Sequence, residues 1–282
     1  MNSPLPHLSL ADILERTIEL SQTATAMLKS YYRDDYKNLD VRDKVEGPVT
    51  IADEAVDRYL LDGIRSMCGN SCDYLTEETY QPGDGELPQD WVWIIDPLDG
   101  TQGFIDKTGE YAIHIALIYQ HRPVLAVVAI PEANRLYAAI LGGGCMRITT
   151  DGVQESVLMT ADRSISDVIV IASRHHRSDK LVQLLAQLPC QQQLEIGSIG
   201  CKIAAIVDRR ADVYISLSGD SAPKDWDFAA PELILTEAGG KFTAPDGSLV
   251  KYNQGDVSKW GCFIASNGAW HQQILDCCQK FK

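Results

Sequence analysis

Hydrophobic and polar positions alternate with two different periods along this chain. From Leu10 to about Tyr32 the apolar residues Leu10, Ile13, Leu14, Ile18 and Leu28 recur at helical spacing, with Ser9 placed to cap them. A second helix is predicted from Ile51 to about Met67, where Ala52, Ala55, Val56, Tyr59, Leu60 and Ile64 share a face. The texture then changes to short apolar runs. Trp91–Ile95, Tyr111–Tyr119, Val124–Ile130 and Arg135–Leu141 read as strands, with turns at His121-Arg122-Pro123 and Pro131–Asn134. Such a consecutive meander predicts an antiparallel or mixed sheet rather than βαβ units.

After Gly142-Gly143-Gly144 the pattern alternates between strand and helix. Strands are expected at Val168–Ala172, Ala211–Leu217 and near Phe263. Helices are expected at about Ser178–Leu188, Ile199–Val207, Trp226–Ala238 and Trp270–Cys277. Gly239-Gly240 suits a left-handed helix end. Pro231 is expected in the first helical turn, where backbone donors lack partners anyway. The expected organisation is two α/β halves, residues 1–150 and 151–282.

Composition narrows the class. Of the 282 residues, 45% are apolar and 23% charged, a globular mixture. Twenty-five Lys and Arg face 39 Asp and Glu, for a net charge of −14, which argues against nucleic-acid binding through clustered basic residues. No run approaches the roughly 18 apolar residues of a membrane span. Met1 to Asp12 lacks the basic start and apolar run of a signal peptide. Cys68, Cys72, Cys145, Cys190, Cys201, Cys262, Cys277 and Cys278 form no paired C-x-x-C spacing, so free thiols are expected in a soluble, cytoplasmic protein.

Chemistry concentrates where the strand at Trp91 ends in Asp96-Pro97-Leu98-Asp99-Gly100-Thr101. Two convergent carboxylates repel unless one is protonated or a cation lies between them. Such hard oxygen ligands suit Mg²⁺, which combines a few carboxylates with substrate phosphate oxygens. Gly100 and Thr101 can then turn backbone N–H groups toward that phosphate. An ordinary Asp-Pro turn is the other reading of the segment. Similarly, Asp227 can simply favour a helix start, Thr50–Asp53 can be a capping box, and Glu77-Glu78 a solvated pair.

Taken together, these segments resemble the magnesium-dependent, lithium-sensitive phosphatase superfamily. It contains inositol monophosphatases, fructose-1,6-bisphosphatases and 3′(2′),5′-bisphosphate nucleotidases. The signature D-P-[IL]-D-G-T is complete at Asp96 to Thr101. A second, W-D-x-A-A with a later E-A-G-G, appears as Trp226-Asp227-Phe228-Ala229-Ala230 and Glu237-Ala238-Gly239-Gly240. Val49–Asp53 and Glu77-Glu78 occur in the same order as in the family. The resemblance extends from about Leu10 to Gly240 and implies an α/β (α+β) fold, a layered α-β-α-β-α sandwich. It implies two Mg²⁺ ions, or three. Glu77, Asp96 and the carbonyl of Leu98 would bind the first, and Asp96, Asp99 and Asp227 the second. Asp53 and Thr101 would orient and deprotonate the attacking water, without a covalent phospho-enzyme.

Within the superfamily, the Asp96–Glu132 stretch most resembles the bisphosphate nucleotidase (CysQ-type) branch, through Phe104, Gly109-Glu110-Tyr111 and Arg122–Val128. Ser173-Arg174-His175-His176 and Gly197-Ser198-Ile199-Gly200-Cys201-Lys202 extend the likeness. It implies substrate contacts from Gly100, Thr101, His176, Ser198 and Lys202. As residues alone, His175-His176 also fits a solvated loop pair, and Lys202 an exposed first-turn lysine. Two departures bear on substrate choice: Gln102 stands where the branch usually has Lys, and Pro231 where Gly commonly follows A-A.

The leading expectation is hydrolysis of adenosine 3′,5′-bisphosphate to AMP and phosphate, with 3′-phosphoadenylyl sulfate as a related substrate. Inositol monophosphatase is the rival, with fructose-1,6-bisphosphatase behind it. A catalytically inactive binding protein is a third reading, opposed by the intact set Asp53, Glu77, Asp96, Asp99, Thr101 and Asp227. The expected partner is a small phosphate ester, with no nucleic acid or membrane, and the chain would be a monomer or a homodimer. Net charge then bears on solubility and long-range steering, while phosphate capture depends on ions recruited by the local acids.

Overall fold

Ser9 opens the first helix by reciprocal capping: its hydroxyl accepts from the N–H of Asp12 at 3.1 Å, and Asp12 Oδ2 accepts from Ser9 N at 2.8 Å. The computed structural model describes residues 3–279 apart from Pro6, residues 34–38, 45–46, 161–162, 175–177 and Gln191. Helix α1 spans Leu10–Arg33 and α2 spans Ile51–Cys68. Between them a small antiparallel pair forms from β1 (Arg42–Lys44) and β2 (Gly47–Val49).

Seven strands follow: β3 (Asp73–Thr76), β4 (Trp91–Asp99), β5 (Ala112–Tyr119), β6 (Arg122–Ile130), β7 (Arg135–Ile140), β8 (Gly144–Thr149) and β9 (Gln154–Val157). They form one sheet in chain order, antiparallel from β4 onward and parallel between β3 and β4. A short helix α3 (Thr101–Ile105) interrupts between β4 and β5. Residue 150 lies in the turn between β8 and β9.

The second sheet is built from β10 (Ile169–Ser173), β11 (Gln192–Ile196), β12 (Val213–Leu217), β13 (Lys241–Thr243) and β14 (Cys262–Ser266). Its strand order is β11-β10-β12-β14-β13, with β10 parallel to β11 and β12, and β14 antiparallel to β12 and β13. Four helices complete the chain: α4 (Asp179–Gln187), α5 (Ile199–Val207), α6 (Asp225–Glu237) and α7 (His271–Cys278).

Alternating side chains explain why these elements stack. In β4, β5 and β6 the residues Trp93, Ile95, Ile113, Ile115, Leu125 and Val127 pack toward α1 and α2. Their neighbours Val92, Ile94, Ala112, Ala116, Ala126 and Val128 pack on the other face with α5 and α6. A strand buried on both faces reads as a nearly unbroken apolar run, which is how these three read. A third cluster joins α4 and α7 to the outer face of the second sheet, through Leu181, Leu184, Ile264 and Ile274. The order of layers is therefore α1/α2, seven-stranded sheet, α5/α6, five-stranded sheet, α4/α7. This is the α-β-α-β-α sandwich that the family resemblance implies.

Helix α6, in the middle layer, is tied down by a buried ion pair. Glu232, fully buried, receives both terminal guanidinium nitrogens of Arg122 on β6 and the hydroxyl of Tyr252 at 2.6 Å. Pro231 departs from expectation. It is the seventh residue of α6, beyond the first turn, so the carbonyl of Asp227 loses the donor that residue i+4 would supply. Strands β3, β8, β9, β11 and β13 were likewise not expected from the apolar pattern. All eight cysteines are free thiols, seven buried and Cys277 half-buried. Among the described residues no helix is long and apolar enough to cross a membrane.

The end of α6 closes as the double glycine predicts. Gly239 takes φ 93°, its N–H meets the carbonyl of Thr236 at 3.0 Å, and Gly240 N–H meets Leu235 O at 2.9 Å, a Schellman pattern. Gly240 is small for a separate reason: a Cβ there would lie 2.6 Å from Ser266 O and 2.7 Å from Met159 Cε. Gly240→Ala is expected to lower the free energy of unfolding by about 1–3 kcal/mol through overpacking against backbone. Urea unfolding with an unchanged midpoint would contradict this account of the α6–β13 junction.

Candidate active site

The β4 strand carries the first acids to the site, and its register with β5 slips between Asp96 and Asp99. Such a bulge bends a strand and re-aims its side chains. Asp96 Oδ1 accepts from the N–H of Leu98 at 2.9 Å, which fixes the turn over Pro97. Gly100 follows in the left-handed region at φ 92°, where a Cβ would meet Glu110 O at 2.7 Å and Ser198 Cβ at 3.0 Å. Both the conformation and the close approach require glycine.

Three acids converge. One carboxylate oxygen from each of Asp96, Asp99 and Asp227 lies within 4.8 Å of the others. Asp96 and Asp99 are buried, and Asp227 is half-buried on the first turn of α6. Each is held by a protein donor on one oxygen. Asp99 Oδ2 accepts from Ser198 Oγ at 2.5 Å and from Gly200 N at 2.8 Å, and Asp227 Oδ2 accepts from Lys224 N at 2.6 Å. Glu77, just past β3, meets Asp96 carboxyl to carboxyl.

The charges respond to this crowding. Burial first, and then neighbouring carboxylates, pushes Glu77 and Asp96 well above the ordinary range. Asp227 is pushed up to about 6, chiefly by burial and then by Asp99. Asp99 goes the other way. Burial acts upward on it, but His114, Ser198 Oγ and the Gly200 N–H together hold its carboxyl below the usual value. A set of hard oxygen donors with this much like charge is the kind that holds a divalent cation, and Asp96, Asp99 and Asp227 are the residues that could do so.

Beside the cluster, Thr101 Oγ1 lies 3.2 Å from Asp53 Oδ1 and 3.1 Å from the carbonyl of Leu98. Asp53 caps α2 through Thr50: its Oδ2 accepts from Thr50 N at 2.8 Å and from Thr50 Oγ1 at 2.5 Å. The capping reading is thus correct, and its other oxygen still reaches Thr101. Burial raises Asp53 to about 6 against the lowering effect of the Thr50 hydrogen bonds.

The substrate-side residues are distributed unevenly. Ser198, at φ 44°, commits its hydroxyl to Asp99 and to the N–H of Cys201, so it braces the acids and caps α5. Lys202 is not an exposed first-turn lysine. It is 4% exposed, with Nζ 3.3 Å from Ser173 Oγ and 4.7 Å from the centre of the Tyr214 ring. His176 lies outside the described residues. Arg174 is engaged by Glu110 through Nε at 2.9 Å and Nη2 at 2.8 Å, and Glu110 also accepts from Gly197 N at 2.7 Å. That tie fixes the turn carrying Ser198. Burial pushes the thiol of Cys201 up to about 12, which leaves it protonated and poorly suited as a nucleophile.

Sequence reading passed over His114, buried on β5 against Asp99. Its signal was there: a titratable side chain in the run Ala112–Tyr119, which is otherwise apolar until its terminal tyrosine.

An acid cluster at a strand end, inside a five-layer sandwich, is an arrangement suited to hold a divalent cation. Residues 9–280 match the inositol monophosphatase family. The chain is 32% identical over 243 residues to the 3′(2′),5′-bisphosphate nucleotidase CysQ of Salmonella typhimurium and equally to that of Escherichia coli, covering 85% of this chain and 94% of each relative. The crystal structure of CysQ from Bacteroides thetaiotaomicron superposes with a TM-score of 0.76 at 25% identity, over 90% of this chain and 97% of that one. The Thermotoga maritima IMPase superposes with a TM-score of 0.78 at 24% identity, over 96% of this chain and 98% of that one, a likeness of fold. The chain belongs to the inositol monophosphatase family, whose members are metal-dependent phosphatases.

Raised carboxyl values set a sign for stability. Asp53 and Asp227, near 6 when folded against 3.8 for the ordinary group, bind protons more readily in the folded chain. Their contribution is present below about pH 4 and lost as pH rises through about 6. A divalent cation such as Mg²⁺ would bind only the deprotonated acids, so any stabilisation by it would run the opposite way. The rise in Tm on replacing EDTA with Mg²⁺ is therefore expected to be larger at pH 7.5 than at pH 5. An equal rise at both pH values would place cation binding outside this cluster.

Proposed function

We propose that this chain is a 3′(2′),5′-bisphosphate nucleotidase that removes the 3′-phosphate of adenosine 3′,5′-bisphosphate, yielding AMP and phosphate. By the same pocket it would act on 3′-phosphoadenylyl sulfate. The observation that carries this reading is Lys202, a buried cation beside the acid cluster whose neighbours are a hydroxyl and an aromatic ring. Among the described residues no carboxylate bonds directly to this ammonium, although Asp227 feels its charge; burying such a charge is costly, and the second phosphate of a bisphosphate would neutralise it. Similarity to relatives named as bisphosphate nucleotidases points the same way.

In this reading residues 1–150 supply Asp53, Glu77, Asp96, Leu98, Asp99, Gly100 and Thr101, and residues 151–282 supply Asp227 and the substrate pocket. Glu77, Asp96 and the Leu98 carbonyl would hold one Mg²⁺, and Asp96, Asp99 and Asp227 another. The chemistry that ions bound by such acids supply is charge neutralisation, polarisation of the phosphoryl group and acidification of water. The chain's own residues do the rest. Gly100 and Thr101 direct backbone N–H groups toward the phosphate. Thr101 Oγ1 accepts a hydrogen bond from the attacking water as its own proton points to Asp53 Oδ1, and the water's proton is taken up at that carboxylate. As the water oxygen bonds to phosphorus, the ester P–O bond breaks and the ribose oxygen leaves, to be protonated from solvent. His176 and Ser198 are the residues we propose would contact the nucleotide, Ser198 from the turn that its hydroxyl braces against Asp99.

Under equal Mg²⁺, kcat/KM is expected to be highest for adenosine 3′,5′-bisphosphate among that compound, inositol 1-phosphate and fructose 1,6-bisphosphate. Preference for inositol 1-phosphate would overturn the substrate assignment. Lys202→Ala should lower kcat/KM for the bisphosphate by about 10- to 100-fold, the worth of one charge-assisted hydrogen bond, and change AMP-sized monophosphate turnover far less. Equal losses on both would remove Lys202 from second-phosphate recognition.

A further inference from the structure

We infer that His114 is a positioning residue for the acid cluster, spanning from Asp99 to the backbone carbonyl of the residue preceding Asp227. The inference rests on the reading that Asp96, Asp99 and Asp227 bind a divalent cation.

His114 stands opposite Asp96 in the β4–β5 register, on the face that Ala112 and Ala116 line. It is 1% exposed. Its Nδ1 lies 3.2 Å from Trp226 O, and its Nε2 lies 3.2 Å from Asp99 Oδ2. The Nε2 contact is at ion-pair distance but off the angle of a formed hydrogen bond, and among the described residues Nε2 has no other partner. The ring is thus aimed at Asp99 and at nothing else on that side.

Neighbouring residues fit around this arrangement. Gly200 donates to the same Asp99 Oδ2, and a Cβ on Gly200 would sit 2.5 Å from His114 Nε2 and 2.7 Å from Ala112 Cβ. Its φ is not in the left-handed region, so the requirement for glycine here is one of space. The imidazole, the Gly200 amide and the Ser198 hydroxyl all meet Oδ2, which orients the carboxylate.

The physical need is plain. Asp99 ends β4 in the seven-stranded sheet, whereas Asp227 rides on α6 in the middle layer. Like charges on separate elements drive those elements apart unless something rigid spans them. A planar ring that hydrogen-bonds the α6 backbone at Nδ1 and faces Asp99 with Nε2 spans the two elements and sets their relative position. It touches neither substrate nor reacting atoms and acts through the two acids.

The test separates this role from simple space filling. Gln at this position can bring an amide donor to where Nε2 stands, whereas Asn reaches only as far as Nδ1. Mn²⁺ binding to the metal-freed protein, read from the EPR signal of free Mn²⁺, is expected to weaken by about 10- to 100-fold in His114→Asn, as for other residues that orient metal ligands. His114→Gln should recover most of that loss. Equal weakening in both variants, or none in either, would overturn the inference. Asp96→Asn serves as the separate control. If it binds Mn²⁺ as tightly as the wild type, the cation reading itself fails, and the inference with it.

In the unaltered protein, saturation with Mg²⁺ should shift the ¹⁵N resonance of His114 Nε2. The Nε2 of His271, bonded to Thr243, should not move. An unmoved His114 signal on Mg²⁺ saturation would equally overturn the role, whatever the variants do.

Discussion

Repulsion among buried carboxylates is the constraint on which the rest of this structure depends. Two unit charges at the 4.8 Å limit of the Asp96–Asp99–Asp227 cluster repel by about 3 kcal/mol even at an effective dielectric of about 20. Glu77 adds a fourth acid against Asp96. Among the described residues no arginine pairs with these acids. It fixes one oxygen of each aspartate with backbone or hydroxyl donors, from Leu98, Ser198, Gly200 and Lys224. The three carboxylates are thereby held close together, a costly arrangement that a divalent cation would turn into a favourable one.

The layered fold is what makes such crowding attainable. Asp96 and Asp99 come from the bulged end of β4, Asp227 from the first turn of α6, and the donors to Asp99 from the first turn of α5. Helices α5 and α6 lie between the two sheets, so the site sits where the middle layer meets the seven-stranded sheet. The Arg122–Glu232–Tyr252 network anchors α6, and the Glu110–Arg174–Gly197 tie anchors the approach to α5. The chain's acidic balance is compatible with an anionic substrate because recognition is local. Whole-molecule charge is felt over a Debye length in solution, whereas capture of a phosphate depends on what the clustered acids recruit.

Much of this was legible in the sequence. Helices α1, α2, α5 and α6 and strands β4 to β7 have long periodic patterns, and their expected limits fall within a few residues of those observed. The signatures around Asp96 and Asp227 marked the segments that converge. Other features left weak traces. Strands β9 and β11 present Gln and Glu outward, and β13 spans Lys241–Thr243, so no apolar run announces them. The burial of Lys202 depends on the second sheet closing over α5, which local spacing does not encode. His114 was hidden because its partners are distant in sequence: a carboxylate from β4 and a carbonyl from α6. Pro231 was misplaced because it lies beyond the first turn from either start: it is the seventh residue from Asp225 and the sixth from Trp226.

The central claim is that these three aspartates form one cation site. Anomalous diffraction from a crystal of the protein equilibrated with Mn²⁺ tests it most directly. The account requires an anomalous peak enclosed by the carboxylates of Asp96, Asp99 and Asp227. Manganese found only at surface acids, with no peak among those three, would contradict it.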